Sequence, residues 1–164
     1  SLSWGITPDP GERGYIRCML NKRTKYALHA LLVLASTRET GPISAERLAA
    51  EAHAPLKFLE AILADLARAG IVASRKGRHG GHELARKPKD IRMSEVIRLF
   101  SGAIALVPCV SLNFYEPCAE CPDETTCVVH DVFLEVRVAT VRMLEKATLA
   151  DLLRRQQRKP VHQA

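Results

Sequence analysis

The chain has 164 residues, which allows one domain with a modest hydrophobic core and excludes a large multidomain enzyme. Hydrophobic residues make up 47% and charged residues 26%, proportions that exclude an intrinsically disordered protein. No apolar run approaches the roughly 18 residues of a membrane span, and the net charge of +6 favours a polyanionic partner.

The chain begins with a segment that we exclude from the fold. Residues 1–18 are rich in Gly, Pro and polar side chains without periodicity, which predicts a disordered leader or a vector-derived segment. Cys18 at its end is expected to be an incidental thiol. Apolar residues then recur at helical spacing from Lys22 to Thr37 and predict the first helix. We expect His29, on its apolar face, to be a core histidine.

Two shorter helices are predicted next. Ser44 has the side chain of an N-cap for a helix from Ala45 to Glu51. Pro55 suits the first position of a following helix, which Gly70 ends. Two short helices joined by a tight turn, with a third ahead of them, form a helix-turn-helix.

The second of these helices carries the candidate base contacts, Lys57 and Glu60. Both lie near its N-terminal end, the part of a recognition helix that meets base edges in a major groove. An ordinary three-helix corner with solvated charges would show the same periodicity. The choice between the two interpretations therefore depends on the segment that follows.

That segment reads as a β-hairpin with a basic, glycine-rich loop. A β-branched run at 71–74 and a second short strand at 82–84 flank the loop. A hairpin directly after a helix-turn-helix is the wing of a winged helix, and its glycines permit close approach to a phosphate backbone or a minor groove. The candidate DNA contacts of this wing are Arg75, Lys76, Arg78 and His79.

The last third of the chain contains a helix, a long loop and a second helix. Ser94 is expected to cap a helix through Phe100, and a loop without sustained periodicity follows. From Cys127 to about Arg155 the apolar positions advance by threes and fours, which predicts one long helix. Its apolar stripe is too extensive for one small domain to cover, so we predict a homodimer.

These elements give a mainly α fold with a β-hairpin wing. The predicted divisions are 19–90 for the winged helix-turn-helix DNA-binding domain, 91–126 for the linking helix and Cys-rich loop, 127–155 for the dimerisation helix, and 156–164 for a disordered tail.

Four cysteines cluster within this last third: Cys109, Cys118, Cys121 and Cys127. In a chain without an export signal thiols stay reduced, so clustered cysteines indicate a metal or redox site rather than structural disulfides. His130 lies one helical turn beyond Cys127 and completes the candidate ligand set. Thiolates with one imidazole suit an iron–sulfur cluster or zinc, and the spacing alone does not separate these two cofactors.

Catalysis is not indicated. Cys118 and Cys121 form a Cys-x-x-Cys pair, but they lie in a loop and lack the βαβ surroundings of thioredoxin-like reductases. The sequence also contains no P-loop and no nucleophile elbow. We therefore predict a cytoplasmic protein that is not an enzyme and has neither a membrane partner nor a small-molecule substrate.

The order of elements resembles a known family. The segments KYALHALLVLA, the wing KGRHGGHELA, the helix MSEVIRLFSG, the loop cysteines and the terminal helix together resemble the IscR/NsrR/RirA-type bacterial winged helix-turn-helix regulators. The resemblance covers residues 19–153. It implies a transcription regulator, most often a repressor, that binds a palindromic operator in double-stranded DNA as a homodimer.

The resemblance also implies a cofactor. Family members with three cysteines generally hold an iron–sulfur cluster, of two-iron or four-iron type, whose state changes their promoter affinity. In IscR itself, two cysteines separated by five residues are followed after two more by a ligand histidine, and Cys121, Cys127 and His130 match that spacing. The remaining thiolate would come from Cys109 or Cys118, of which Cys109 is the better match. A structural zinc or a thiol-only redox switch is the alternative.

Overall fold

A computed structural model describes residues 20–77, 80–118, 121 and 123–158. In these ranges, the winged-helix order predicted from the sequence is confirmed. The elements are α1 (Lys22–Ser36), α2 (Ala45–Glu51), α3 (Leu56–Arg68), β1 (Val72–Arg75), β2 (Gly81–Leu84), α4 (Met93–Ser101), α5 (Val128–Lys146) and α6 (Leu149–Arg158).

The core of the winged helix is built by the first three helices. Leucines at helical spacing, including Leu31 in α1, Leu48 in α2 and Leu59 in α3, are fully buried against one another. Ser44 caps α2 as predicted, its side chain accepting the backbone N–H of Arg47. Pro55 is the N-cap of α3 rather than its first residue. This packing fixes the angle at which α3 is presented to solvent.

The wing is an antiparallel hairpin in which Val72 pairs with Leu84 and Arg75 with Gly81. Ile43 forms an additional bridge to β2, with backbone hydrogen bonds of 3.0 and 2.7 Å to His82. Gly81 is required here, because its φ is +152° and a Cβ would lie 2.4 Å from the carbonyl oxygen of Ile43. The wing is therefore fixed to the segment before α2 as well as to α3.

Two side chains differ from their sequence interpretation. Ser94 does not cap α4: the helix begins at Met93, Arg92 precedes it without a capping side-chain hydrogen bond, and Ser94 is buried inside the first turn. The local polar side chain suggested a cap, but burial against the core decided its position. His29 was expected in the core, and it is exposed on α1.

The single helix predicted from Cys127 to Arg155 is wrong in one respect, because the structure has two helices there. Ala147 is extended, with φ −76° and ψ 122°, and Thr148 directly precedes the next helix, α6. The side chains of Thr148 and Asp151 bond each other's backbone N–H groups, at 3.3 and 2.9 Å, which is a capping-box arrangement. Hydrogen bonds from the Thr148 hydroxyl, the Thr148 backbone N–H and Arg154 lower the pKa of Asp151 to about 2.

The two helices have different surroundings. Leu149 in α6 is fully buried in the winged-helix core, and α6 contacts α1. In α5, all of whose residues are described, none is buried. The end of the predicted dimerisation segment, α6, therefore packs in the winged-helix core, whereas α5 contacts α4 and has no buried residue.

Several predictions lie outside the described residues. They are the leader 1–18 with Cys18, the wing residues Arg78 and His79, and residues 159–164 of the predicted tail. The first three residues of that tail, 156–158, are helical as part of α6. None of the helices in the described ranges could span a membrane.

Candidate DNA interface and cysteine site

The exposed face of α3 has the composition of a recognition surface. Leu59, Ile62 and Leu63 point into the core, whereas Lys57 and Glu60 are exposed near the start of the helix. Ala61, which follows Glu60, is small and exposed, so base edges could approach the helix closely at this point. The tertiary structure thus leaves both sequence-predicted side chains of α3 available to DNA.

The wing presents Arg75 and Lys76 at the end of β1. Arg75 is largely exposed and its Nε donates to Glu83 Oε1 at 2.7 Å, across the two strands. Lys76 is exposed and follows β1 directly. The Arg75–Glu83 pair is a solvated ion pair that contributes little to stability, so Arg75 could exchange this carboxylate for a phosphate.

The Cys-rich loop, residues 103–126, connects α4 to α5. Cys109 lies in a short 3-10 turn, Pro108–Val110, which contacts α5. Val110 in this turn is buried. Cys118 is exposed, while Cys121 and Cys127 are partly buried. The loop is therefore fixed near its beginning and again at Cys127.

Cys127 occupies the N-terminus of α5. Its Sγ accepts the backbone N–H of His130 at 3.4 Å, so it serves as the helix cap. This hydrogen bond, together with the nearby Cys121 side chain, lowers the pKa of Cys127. The neighbouring Cys127 side chain raises the pKa of Cys121, whose thiol donates to the backbone oxygen of Asp123 at 3.5 Å. Two of the predicted thiol ligands thus lie near each other.

The other two thiols lie within electrostatic range of this pair. Burial raises the pKa of Cys109, and the nearby Glu124 carboxylate, Cys118 and Cys127 raise it further. Cys118 likewise contributes to the raised pKa of Cys121. The loop therefore gathers all four clustered cysteines into one electrostatic neighbourhood.

His130 faces carboxylates. Its Nε2 lies 3.2 Å from Oε1 of Glu124, and its Nδ1 lies 3.6 Å from Oδ1 of Asp131. The other oxygen of Glu124 accepts the Tyr115 hydroxyl at 2.9 Å. Sequence reasoning missed Glu124 as the residue that joins Tyr115 to His130. The available indication was an acidic side chain in the Cys-rich loop six positions before His130.

The described residues do not contain a preformed metal site. In residues 20–77, 80–118, 121 and 123–158, no three His, Cys, Asp or Glu side chains are close enough to hold a metal ion. The chemistry of the donors nevertheless fits a thiolate-ligated centre, because four soft ligands lie in one neighbourhood. The predicted ligand set of Cys109, Cys118, Cys121, Cys127 and His130 stays a prediction.

Comparison with known proteins identifies similar regulators. Residues 20–155 match the family model Rrf2, described as an iron-dependent transcriptional regulator. An rrf2-like helix-turn-helix-type transcriptional regulator of Rhodobacter capsulatus is 42% identical over 138 residues, which is 82% of this chain and 92% of the relative.

Solved structures show the same similarity. CymR, the global cysteine regulator of B. subtilis, has a TM-score of 0.69 at 25% identity, over 83% of this chain and 96% of CymR. IscR of T. potens has a TM-score of 0.66 at 26% identity, over 86% of this chain and 91% of IscR. These proteins share the winged-helix fold and are regulators rather than enzymes.

Proposed function

The chain belongs to the Rrf2 family of helix-turn-helix transcriptional regulators, and we propose that it is a homodimer whose operator affinity is controlled by an iron–sulfur cluster. The resemblance predicted from the sequence is confirmed at the level of the family. Two features support the proposal of cluster-controlled DNA binding. One is the exposed surface of α3 and the wing, and the other is the cysteine loop that ends at the first turn of α5.

The two parts of the DNA surface would have different roles. Lys57 and Glu60 on α3 would read base edges, with Lys57 donating to a guanine and Glu60 accepting from a cytosine amino group. A carboxylate on this face also disfavours unspecific contact with phosphate. Lys76 on the wing, together with Arg75, would contact the phosphate backbone.

A pair of substitutions separates these roles. We expect Lys57→Ala to lower discrimination between an operator selected from a random duplex pool and a scrambled duplex by about 10-fold to 100-fold, because a base contact is lost. Lys76→Gln should weaken binding to both duplexes alike and make the slope of log affinity against log salt shallower by about 1 per chain. Fluorescence anisotropy over a range of salt concentrations measures both effects. Equal effects of the two substitutions on both duplexes would contradict the assignment.

The homodimer is proposed from the exposed stripe of α5. Val129, Val132, Val136 and Met143 are all exposed, between 38% and 73%, and recur at intervals of three, four and seven residues. Phe133, Thr140 and Leu144, which lie on α5 beside this stripe, are partly buried. A second copy packed along this stripe would remove its apolar surface from water.

The observation that carries the sensing proposal is the position of Cys127. This residue is the N-cap of α5, and the other thiols belong to the loop that comes from α4 and the DNA-binding domain. When bound, an iron–sulfur cluster would supply bonds to thiolates that form and break with iron supply or oxidation. Cys127, Cys121 and Cys109 would hold it, with Cys118 or His130 as the further ligand.

The residues of the chain would transmit the change as follows. Ligation would draw the loop thiols toward the start of α5, while Cys109 keeps its contact to α5 through the turn Pro108–Val110. Because α5 carries the dimer stripe and α4 packs against it, the loop would set the angle between the DNA-binding domain and the dimer axis. That angle fixes the spacing of the two recognition helices on a palindromic operator.

Anaerobic purification from iron-replete cells tests the proposal. We expect a coloured protein with equal amounts of iron and sulfide per chain, whose visible spectrum separates a two-iron from a four-iron cluster. A colourless protein with stoichiometric zinc would contradict cluster control and assign the loop a structural role. The matched control is the same protein after a chelator has removed its iron. Its affinity for the operator is compared with that of the iron-loaded protein.

The proximity of Cys121 to Cys127, whose pKa is lowered, favours a second candidate, a thiol-only switch. A peroxide would take two electrons from the two thiols, whose sulfurs would join as a disulfide while both protons leave with the reduced peroxide as water. This candidate requires the metal-free protein to change operator affinity reversibly with peroxide and dithiothreitol. The thiol-only switch would be excluded if the protein binds iron and the operator affinity of its apo form does not change with peroxide.

A further inference from the structure

A cavity of about 270 Å³ opens between α4, the Cys-rich loop and α5, beside the cysteine site but without any cysteine in its wall. Its wall joins all three of these elements. The residues that line it are Arg98, Ile104, Leu112, Asn113, Arg137 and Val141.

Arg137 is the unusual member of this wall. Its Nε is buried and has no hydrogen-bond partner among the described residues. Within those residues no carboxylate forms an ion pair with it either. An uncompensated charge in such surroundings is costly, so an anion in the cavity beside this guanidinium would be bound favourably.

Arg98 adds a second positive charge on the opposite element, α4. Its Nη2 lies 3.7 Å from Oε1 of Glu145, too far for a hydrogen bond. Glu145 therefore offsets part of its charge but leaves donors free. Asn113 offers a further amide donor at the mouth of the cavity. Two guanidinium groups and an amide suit the planar oxygens of a carboxylate.

The remaining wall is apolar. Ile104 is nearly fully buried, Val141 is partly buried, and the exposed Leu112 lies at the opening. Ligand sites for drug-sized molecules occupy roughly 300–1,000 Å³, so this cavity suits a smaller molecule with one short apolar group. We propose that the cavity binds a small organic carboxylate, held by Arg98 and Arg137, as an effector. This inference does not depend on the cluster.

Such a ligand would join the same elements that the sensing proposal connects. Its carboxylate would bridge α4 and α5, and its apolar group would pack on the first part of the Cys-rich loop. We therefore expect binding to raise the melting temperature of the metal-free protein.

Titration of the full, metal-free chain with isovalerate tests the site by calorimetry and thermal shift. We expect saturable binding in the millimolar range, as suits so small a ligand. The uncharged isostere isovaleramide should bind at least about 10-fold more weakly, since it lacks the charge-assisted hydrogen bonds. Inorganic phosphate tests a bare anion site: binding as tight as that of isovalerate would overturn the proposal.

Substitutions locate the binding. Arg137→Gln and Arg98→Gln should each weaken isovalerate binding at least about 10-fold, while Arg137→Lys, which keeps the charge and loses the planar fork, should lie between them and the wild type. Arg142→Gln, an exposed position on another face of α5, is the matched control and should leave binding unchanged. Circular dichroism verifies that each variant folds.

The contrary results are equally definite. Absence of isovalerate binding to the wild-type chain, or binding that none of the arginine substitutions changes, would overturn the proposal. The proposal would also be overturned if Arg137→Gln weakened self-association and left isovalerate binding unchanged. In that case the surface of a second copy would be the partner of this guanidinium.

Discussion

Replacing Val132 and Val136 together by Glu is expected to convert the protein into a monomer and to abolish operator binding at concentrations where the wild type is saturated. Both valines are exposed in the single chain and lie on the α5 stripe. Burying a valine contributes about 1.5–3 kcal/mol, and each protomer would lose two such contacts and gain two buried charges. The dimer dissociation constant should therefore rise by more than about 1,000-fold.

Sedimentation equilibrium measures the dimer, and a gel shift with the selected operator measures its effect on DNA binding. Val138→Glu is the matched control, because Val138 is also exposed on α5 but lies on another face of the helix. It should remain dimeric. A double variant that stays dimeric at micromolar concentration would show that the α5 stripe is not the dimer interface. The cluster proposal would then have to be tested independently of this interface.

The second large effect is expected for Cys127→Ser. The variant should lose nearly all bound iron and sulfide, and its operator affinity should equal that of the wild-type apo protein. A typical coupling free energy between two sites is 1–3 kcal/mol, so we expect an affinity about 5-fold to 150-fold different from that of the holo protein. Iron and sulfide assays together with anaerobic fluorescence anisotropy give both quantities.

The serine substitution also controls for folding. Cys127 caps α5 through its Sγ, and a serine hydroxyl caps a helix at least as well. The variant should therefore melt close to the wild-type apo protein, which separates loss of the cluster from loss of structure. Cys18→Ser should leave the cluster and the affinity unchanged. Full iron content in Cys127→Ser, or an unchanged holo affinity after iron loss, would contradict cluster control.

The parts of the fold that the sequence predicted depend on local interactions. Ser44 caps α2 as expected because N-capping needs only a side chain and the N–H groups that follow it. The apolar periodicity of α3 placed Leu59 and Ile62 inside and Lys57 outside for a similar reason: a helix face follows directly from residue spacing. The cysteine cluster was visible as spacing, although spacing did not predict that Cys127 would cap α5.

The parts that the sequence did not predict depend on contacts between distant segments. Ile43 forms a bridge to the wing through backbone groups alone, which carry no sequence signature. Arg98 and Arg137 are separated by 39 positions and appear in the sequence as ordinary helical charges. Only the packing of α4 against α5 brings them to one cavity.

The end of the chain shows the division most directly. By itself the sequence determined a winged helix-turn-helix, a cysteine-rich loop and an amphipathic C-terminal region, since each follows from local periodicity and composition. Only the tertiary structure decided that this region breaks after Lys146. Leu149 is buried in the core, and two backbone hydrogen bonds of 2.9 Å join the break to the start of α4 and the segment before it: Met93 N donates to Ala147 O, and Leu149 N donates to Ile91 O. These distant partners replace the helical hydrogen bonds lost at the break. The apolar spacing of the sequence continues across the break, so the sequence alone gives no sign of it.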